Sequence, residues 1–372
     1  MKILMVVWNY YPNTAYTNHT KASQRGFIEN GAECDVLSIK PLVAPDDSCK
    51  SKVLSPNASL IKTALGMAID TFRLVFLSRK YDIIYCACST LWVVKLTQRL
   101  SRMNGTKIVH ERTEHPNVFI PDTPKGKKHL KAYCEKVGQF DKVFTISTTI
   151  KMFFEEKGVE ENRLQVYPMI VDPNRFANVE KKDIGYRYIA YCGNLQNSKD
   201  GVADLIQAYA KAKAANSRFK LVLIGKKPTG KDMKLYEQLI SENALQNQIV
   251  FYGQAPRDDM PQLLKNADIL ALSRPDNLQA RGGFPTKLGE YLATGNPVLV
   301  TSVGDIPLYI HDGENGYVSP PDDIDMFAQK LDHIAQNFEE ALIVGRKGTE
   351  LVYNEFNYSV QTKMVLDTLK SL

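Results

Sequence analysis

Short apolar segments alternate with helical segments along the chain, and this alternation starts twice. The first series opens at Lys2 to Trp8, and the second opens at Tyr188 to Cys192. Strands that alternate with helices form parallel sheets, because each helix carries the chain back to the start of the next strand. Since 372 residues are also too many for one ordinary core, the sequence predicts two consecutive doubly wound α/β domains.

A proline-flanked segment, Pro168 to Pro173, lies between the two series. Proline at both ends disfavours a continuous helix or central strand there, so we place the domain boundary just after it. The prediction is an N-terminal domain over residues 1–172 and a C-terminal domain over residues 173–355. A helical segment over residues 356–372 follows.

Composition is that of a soluble globular protein, with 44% hydrophobic and 24% charged residues. No run of 18 apolar residues occurs, so we expect no transmembrane helix. The N-terminus lacks the features of a signal peptide. Six scattered cysteines predict free thiols in a reducing compartment. Together these features predict a cytoplasmic protein.

The positive charge is concentrated in the first half of the chain. Residues 1–172 carry 24 Lys plus Arg against 17 Asp plus Glu, whereas the remainder carries 23 against 24. A basic half favours an acidic partner such as lipid headgroups, although it also serves solubility. Residues 58–78 have helical spacing with a broad apolar face, which fits a core helix or one that touches a membrane surface. We predict a basic loop over Pro121 to His129, suited to phosphate or an anionic membrane surface.

The segment Phe284 to Thr301 is predicted to form a loop, a helix, a tight turn and a buried strand. Pro285 suits the first turn of the helix, and Gly295 suits its C-terminal cap. The N–H groups at such a helix start bind phosphate well. Glu290, about one turn further on, could accept hydrogen bonds from two ribose hydroxyls. The segment therefore indicates a nucleotide-sugar site.

The best catalytic or acceptor-binding candidates in the first half lie at the carboxyl end of the predicted strand Thr106 to His110, although a solvated turn would have the same composition. The segment His110 to Pro116 contains the charged or titratable residues His110, Glu111, Arg112, Glu114 and His115. Open α/β sheets bind ligands at the carboxyl ends of their strands, which is where this group is predicted. The first strand is not followed by G-x-G-x-x-G, which argues against a dinucleotide dehydrogenase.

Several motifs in the second half occur together in a specific order. They are Gly193-Asn194-Leu195 with Lys199, Val250 to Gly253, Asn266 to Asp268, Phe284 to Thr301, and Gly313-x-Asn315-Gly316. In this order and spacing the chain resembles a family 4 glycosyltransferase. The resemblance implies the GT-B fold, in which two Rossmann-like β/α/β domains face each other across a cleft. The first domain would bind the acceptor and the second the donor, and the last helix would cross back to the first domain.

The resemblance also implies an activity. The protein would be a hexosyltransferase-type enzyme (EC 2.4) that moves a sugar from a UDP- or GDP-linked donor to a glycan or lipid-linked acceptor with retention. It would need neither metal nor cofactor. The setting would be synthesis of cell-surface polysaccharide or glycolipid, as a peripheral protein at the inner face of the membrane. No nucleic-acid partner is expected.

Residue roles carry over from the resemblance position by position. Lys199 would neutralise the diphosphate, Glu290 would bind ribose, and His110 would contact the transferred sugar. The other donor-binding residues would be Gly193, Asn194, Gly253, Gln254, Gly283, Phe284, Pro285, Thr286 and Lys287. The acceptor-binding residues would be Asn13, Thr14, His110, Glu111, Arg112 and Glu114.

The chain departs from the family pattern at the sugar end of the site. Gly282 stands where the family has the first glutamate of its E-x7-E pair, and Asn194 replaces an arginine. Lys199 would then carry more of the charge, aided by Arg281 or Lys287. Two alternatives stay open: an epimerase or phosphorylase on the same fold, and a non-catalytic nucleotide-sugar-binding subunit. An isomerised sugar formed from donor alone would indicate the epimerase, and tight nucleotide binding without turnover would indicate the subunit.

Overall fold

The structure, a computed structural model, describes residues 1–11, 14–40 and 63–372, without the side chains of residues 63 and 64. The chain divides into two compact units. One unit consists of Met1–Ile170 together with Asn357–Leu372, and the other consists of Val171–Phe356. We refer to them as the first and the second unit.

The first unit contains a six-stranded parallel sheet in the order β2-β1-β3-β4-β5-β6. Its strands are β1 Lys2–Val7, β2 Glu33–Ser38, β3 Ile83–Cys86, β4 Lys107–Arg112, β5 Lys142–Thr145 and β6 Leu164–Val166. Its helices are α1 Ala15–Glu29, α2 Thr63–Leu77, α3 Leu91–Asn104, α4 Pro116–Phe119, α5 Pro124–Val137 and α6 Thr148–Glu156, with 3₁₀ turns at Ser78–Lys80 and Glu161–Arg163. Strand β3 and the residues of β1 after Lys2 are apolar and buried, as expected for a sheet covered on both faces, whereas β4 ends in the buried polar residues His110, Glu111 and Arg112.

The second unit repeats this architecture with the strand order β12-β11-β10-β7-β8-β9, again parallel. Its strands are β7 Tyr188–Cys192, β8 Lys220–Ile224, β9 Ile249–Gly253, β10 Ile269–Leu272, β11 Val298–Thr301 and β12 Tyr317–Ser319. The strand order reverses between β7 and β10. The carboxyl ends of two strands at such a switch point form the crevice in which open α/β sheets bind ligands.

Eleven helices of the second unit surround this sheet. They are α7 Asn174–Ala177, α8 Asn197–Asp200, α9 Val202–Lys211, α10 Lys213–Asn216, α11 Lys231–Glu242, α12 Met260–Asn266, α13 Leu278–Gly282, α14 Thr286–Ala293, α15 Ile306–Tyr309, α16 Ile324–Gln336 and α17 Phe338–Leu351. A π-helical turn, Val352–Phe356, ends the unit. The predicted alternation of strands and helices is thus present in both halves of the chain.

The last helix, α18 (Tyr358–Lys370), belongs to the first unit and packs on α1. The Tyr358 hydroxyl donates to Glu29 at 2.7 Å, and the Asn30 side-chain amide donates to the Ser359 carbonyl at 2.9 Å. Val365, Leu366 and Leu369 complete the apolar core beside β1. The chain therefore leaves the first unit after Ile170 and returns to it at Asn357.

Some local predictions differ from the structure. The predicted loop over Pro121 to His129 is limited to residues 121–123, because α5 already begins at Pro124, where Thr123 caps the helix by accepting from the Gly126 N–H. Strand β4 extends to Arg112, so it includes residues that we predicted in the following loop. Pro285 is the N-cap residue of α14 instead of lying in its first turn.

Other predictions fall partly outside the described residues. Residues 58–62 of the predicted amphipathic segment lie outside the described residues, and so does Asn13 of the first loop. None of the helices in the described part of the chain has the length and apolar character that a membrane span requires. Of the predicted free thiols, Cys34, Cys86, Cys88, Cys134 and Cys192 are indeed free.

Close packing of α1 on α18 predicts that Gly26→Ala destabilises the first unit. A Cβ at Gly26 would overlap the Thr362 hydroxyl and lie 2.8 Å from its methyl group. We expect a loss of about 1–3 kcal/mol in the free energy of unfolding, typical of overpacking. Both tryptophans, Trp8 and Trp92, lie in the first unit, so their fluorescence in a urea titration reports on it alone. Adding Thr362→Ala should recover part of the loss. Unchanged stability of Gly26→Ala would contradict this packing.

Candidate functional site

The carboxyl end of β7 is joined to helix α14 by a buried tyrosine. The Cys192 N–H donates to the Tyr291 hydroxyl at 2.6 Å, which holds α14 beside the switch point. No side chain among the described residues caps the start of α14, and its first turn contains no acidic residue. The N–H groups at this helix start, with the positive end of the helix dipole, favour an anion.

Gly193 follows β7 directly and lies against the first turn of α14. Its φ of +155° favours glycine, and a Cβ there would overlap the Lys287 ammonium and lie 2.9 Å from the Tyr191 hydroxyl. The Lys287 ammonium therefore lies against the backbone at the end of β7. A second glycine, Gly225 after β8, is required because its Cβ would overlap the Gly193 carbonyl.

A buried carboxylate, Asp200 at the end of α8, holds Lys287 in this position. Lys287 Nζ lies 2.5 Å from Asp200 Oδ2, and the Tyr191 hydroxyl donates to the same oxygen at 2.8 Å. Arg274, which follows β10, places its Nε 3.6 Å from Asp200 Oδ1. Cations from two elements thus converge on one carboxylate at the switch point.

The pKa values of this cluster follow from burial and from the paired charges. Burial alone would raise the pKa of Asp200, but Lys287, Arg274 and the Tyr191 hydroxyl outweigh it and lower that pKa below its usual range. Burial lowers the pKa of Lys287, although Asp200 opposes the shift. The arrangement is that of an ammonium held in place by a carboxylate at the edge of a ligand crevice.

Lys199 is the residue before Asp200 on α8 and is half-buried. The short helix is fixed at both ends. Gly201 has a φ of +61°, and a Cβ there would overlap the Ser273 carbonyl, while the Asn277 side-chain amide donates to the Ser198 carbonyl at 3.0 Å. The structure therefore brings α8, which carries Lys199, to the same strand ends as Lys287.

Glu290 lies further along α14 and forms an ion pair that the sequence did not suggest. Its Oε1 lies 2.5 Å from Nη1 of Arg175, a residue of α7. Arg175 Nη2 also donates to the Arg257 carbonyl at 2.7 Å. Because 115 residues separate the two partners, no local spacing could have indicated the pair.

Other predicted donor-site residues take several positions. Phe284 packs its ring on Tyr309 and Phe356, so only its backbone can face a ligand. Gly283 and Pro285 are buried, and Thr286 is half-buried as the first residue of α14. At the end of β9, Gly253 adopts a φ of +89° and Gln254 is exposed.

The structure also shows the residues that we expected to compensate for the missing arginine. Asn194 is exposed, and its side-chain amide donates to Gln196 at 3.1 Å. Arg281 forms a two-bond ion pair with Asp276, one bond measuring 2.6 Å. Arg281 is thus held at an exposed pair, whereas Lys287 lies beside Gly193. Of the two candidates, Lys287 is the one placed at the strand ends.

In the first unit, burial argues against direct substrate contact by His110. Its imidazole lies in the core, with Nε2 2.7 Å from the Tyr133 hydroxyl and its ring tilted against Phe140. Burial lowers the pKa of His110 to about 3, and Arg112 adds to that shift. The imidazole is therefore neutral at ordinary pH. It lies in the core on one face of the sheet, since His110 is an internal residue of β4 and not the end of the strand.

Glu111 points to the opposite face of the sheet, as alternation along a strand requires. Its carboxylate lies 2.5 Å from His19 Nε2, and both side chains are buried. Arg112 is also buried and donates to the Glu114 carbonyl at 2.5 Å. These contacts give Glu111 and Arg112 clear structural roles.

Of the two acceptor-site residues predicted in the first loop, the structure describes Thr14 but not Asn13. Thr14 caps α1 by accepting from the Thr17 N–H at 3.2 Å. Asn13 lies outside the described residues. Across residues 1–11, 14–40 and 63–372, no group of three or more His, Cys, Asp or Glu side chains could hold a metal ion.

Comparison with known proteins supports a glycosyltransferase. Residues 173–350 match the family of glycosyl transferases group 1. An uncharacterized glycosyltransferase of Methanocaldococcus jannaschii is 24% identical over 401 residues, which cover 100% of this chain and 98% of the relative. WcaL of Escherichia coli, a putative colanic acid biosynthesis glycosyltransferase, is 25% identical over 222 residues, covering 59% of this chain and 53% of WcaL.

A solved structure has the same fold over the full length of the chain. Crystalline HepE of Anabaena in complex with UDP is 17% identical, with a TM-score of 0.76, and the match covers 100% of both chains. The two six-stranded parallel sheets with their flanking helices match this neighbour. The predicted fold class, GT-B with two Rossmann-like domains, is confirmed.

The Asp200–Lys287 pair predicts a large loss of stability for Asp200→Asn. Removing one partner of a buried ion pair typically costs about 3–5 kcal/mol. The loss should be full at pH 7. The difference in stability between the variant and the wild type should shrink in acid. An Asp whose pKa is lowered by folding stabilises the folded state fully above its unfolded pKa of about 3.9, and this stabilisation is lost as the pH falls through the pKa of the folded state.

Urea unfolding followed by circular dichroism at pH 7 and at pH 3 measures this difference. The double variant Asp200→Asn/Lys287→Met is the control, because it removes both charges and should recover most of the stability. If Asp200→Asn matches the wild type at pH 7, the pair does not stabilise the second unit.

Proposed function

We propose that the protein is a hexosyltransferase (EC 2.4) of family 4 that moves a sugar from a nucleoside-diphosphate sugar to a glycan or lipid-linked acceptor with retention. One observation carries the proposal: the Lys287 ammonium lies against the Gly193 backbone beside the uncapped start of α14. Backbone N–H groups, a helix dipole and an ammonium at a switch point suit a diphosphate. Lys199, on α8 at the same strand ends, supplies a second cation.

The nucleoside end of the donor fits the next turn of α14. Glu290 is a half-exposed carboxylate there and can accept from two ribose hydroxyls, while Gly253 and Gln254 line the base pocket. UDP is the first nucleotide to test because HepE, with the same fold, was crystallised with UDP. GDP is the alternative.

The reaction then depends on stabilising the leaving diphosphate. As the bond between sugar and phosphate breaks, negative charge develops on the diphosphate, and Lys199 and Lys287 stabilise it by preorganised electrostatics. The acceptor attacks on the face from which the leaving group departs, and the donor phosphate takes its proton. This route requires neither a protein nucleophile nor a metal, and it tolerates Gly282 in place of a carboxylate.

The acceptor belongs to cell-surface polysaccharide or glycolipid synthesis in this proposal. The relative WcaL is named for colanic acid biosynthesis, which supports a polysaccharide product. The first unit binds the acceptor. The enzyme works in the cytoplasm at the inner face of the membrane.

An anionic lipid surface is the partner that we propose for α2. Leu65, Phe72 and Phe76 recur at helical spacing on this helix and are largely exposed, with Phe72 at 68% and Phe76 at 63%. The two phenylalanine rings stack at 5.9 Å. Arg79 and Lys80 are exposed directly after the helix. Apolar side chains next to cations suit a surface of anionic lipids.

Substitutions at the donor site test the enzyme assignment. Glu290→Ala should reduce transfer by about 10²-fold or more, since losing one key polar contact in a preorganised site has effects of this size. Lys199→Ala should mainly lower kcat. A thermal-shift series with UDP, GDP, ADP and their sugars identifies the donor to use in these assays.

The control for these variants is Arg187→Ala, which alters an ion pair with Asp268 before β7, at the opposite end of the strand from Gly193. Near-normal transfer by Glu290→Ala would contradict the ribose assignment. A change confined to the acceptor KM would remove Lys199 from the donor site. An isomerised sugar formed from donor alone, or tight binding without turnover, would instead indicate the two alternative functions.

Vesicle sedimentation tests the lipid proposal. The variant Phe72→Ser/Phe76→Ser should bind vesicles that contain about one-third phosphatidylglycerol at least 10-fold more weakly than the wild type. Each phenylalanine ring contributes about 1.5–3 kcal/mol to binding when it is buried in the lipid. Ile343→Ser, an exposed apolar residue of the second unit, is the control and should bind as the wild type does. Equal binding by the double variant and the wild type would exclude α2 as the contact.

A further inference from the structure

The ion pair with Arg175 orients the Glu290 carboxylate, which core packing alone would leave free to change its rotamer. Glu290 and Arg175 retain 29% and 17% of their side-chain exposure, so neither is locked by core packing. A half-exposed glutamate samples several rotamers, and ordering it costs up to about 1.5–2 kcal/mol. The bond from Arg175 Nη1 to Glu290 Oε1, at 2.5 Å, selects one orientation before any ligand binds.

Arg175 can orient Glu290 because its own guanidinium is held on two sides. Nη2 donates to the Arg257 carbonyl at 2.7 Å, and the guanidinium lies 5.8 Å from the ring of Phe176. The planar fork of arginine bonds the carbonyl and the carboxylate at once and in a fixed geometry, which the compact ammonium of a lysine does not provide. Glu290 is thereby tied to the loop before α12.

A second arginine adds an observation that points to a ligand. Arg257 Nη1 is buried, and no atom of the described residues accepts its hydrogen bond. Burial lowers the pKa of Arg257, and Arg175 lowers it further, whereas Glu290 and Asp172 oppose the shift. A buried donor without an acceptor is costly, so Arg257 Nη1 needs an oxygen acceptor that either water or a bound ligand could supply.

We infer that Arg175 is a positioning residue that orients Glu290 to accept the two ribose hydroxyls of the donor. This inference rests on the proposed function. A carboxylate has about four lone-pair sites, so the bond to Arg175 leaves Glu290 the capacity to accept two more hydrogen bonds. Arg175 acts through Glu290, and its loss removes the preference for a ribose diol while leaving the diphosphate contacts in place.

The test compares ligands that differ only in the diol. Calorimetry measures the dissociation constants of UDP and 2′,3′-dideoxy-UDP, or of the guanosine pair if GDP proves to be the donor nucleotide. Wild type should bind the dideoxy compound about 10- to 100-fold more weakly, since a hydrogen bond to a charged group contributes about 1.5–3 kcal/mol. In Glu290→Ala and in Arg175→Ala this ratio should fall to about 1–3.

Three further variants separate positioning from a general structural role. Arg175→Lys should recover part of the ratio, because an ammonium can pair with Glu290 but lacks the planar fork that fixes the orientation of the pair. Arg175→Met, which keeps the length of the side chain, replaces Arg175→Ala if the latter does not fold. Arg187→Ala is the matched control for loss of an arginine ion pair in the same unit, and it should keep the wild-type ratio.

The outcomes distinguish the positioning role of Arg175 from the proposed function of the protein. A wild-type ratio in Arg175→Ala or Arg175→Met, with a reduced ratio in Glu290→Ala, would overturn the positioning role and leave the proposed function intact. Failure of the wild type to bind any nucleoside diphosphate would overturn the proposed function itself.

Discussion

The buried pair of Lys287 and Asp200 is the interaction on which the site in the second unit depends. Burial disfavours the charged form of Lys287, which is 17% exposed, and Asp200 opposes that effect. Asp200 itself accepts from the Tyr191 hydroxyl and is approached by Arg274. Gly193 leaves the space that the ammonium occupies. Strand β7, helix α8 and helix α14 must therefore meet in one arrangement, which lies at the point where the strand order reverses.

The sequence predicted the fold well, because a fold of alternating strands and helices is encoded locally. Apolar runs such as Val298 to Val300 and caps such as Gly295 lie next to the elements they define. The prediction erred where local signals compete. The lysines after Pro121 suggested a loop, yet Thr123 and Pro124 form a good helix start, and α5 begins there. The polar residues after Val109 suggested a turn, but pairing with β5 extends the strand through Arg112.

Site residues were predicted less completely because their partners are distant in sequence. The motifs gave Glu290, Lys199 and Lys287 as candidates, but no spacing could show that Arg175 reaches Glu290 or that Asp200 holds Lys287. His110 illustrates the opposite difficulty. A histidine at the end of a strand suggests a catalytic or binding role. In the structure β4 continues past His110, and the alternation of side chains along the strand places His110 in the core beside Tyr133. Burial of a single side chain depends on how far its strand continues.

In the function that we propose, Lys287 at the switch point binds the diphosphate of a donor. Calorimetric titration of the wild type and the double variant Asp200→Asn/Lys287→Met with UDP and with uridine tests this most directly, because the two ligands differ only in the diphosphate and the double variant leaves no unpaired buried charge. We predict that the double variant binds UDP about 10- to 100-fold more weakly, as expected for loss of a charge-assisted hydrogen bond, and binds uridine as the wild type does. An unchanged affinity for UDP, or an equal loss for both ligands, would contradict the account.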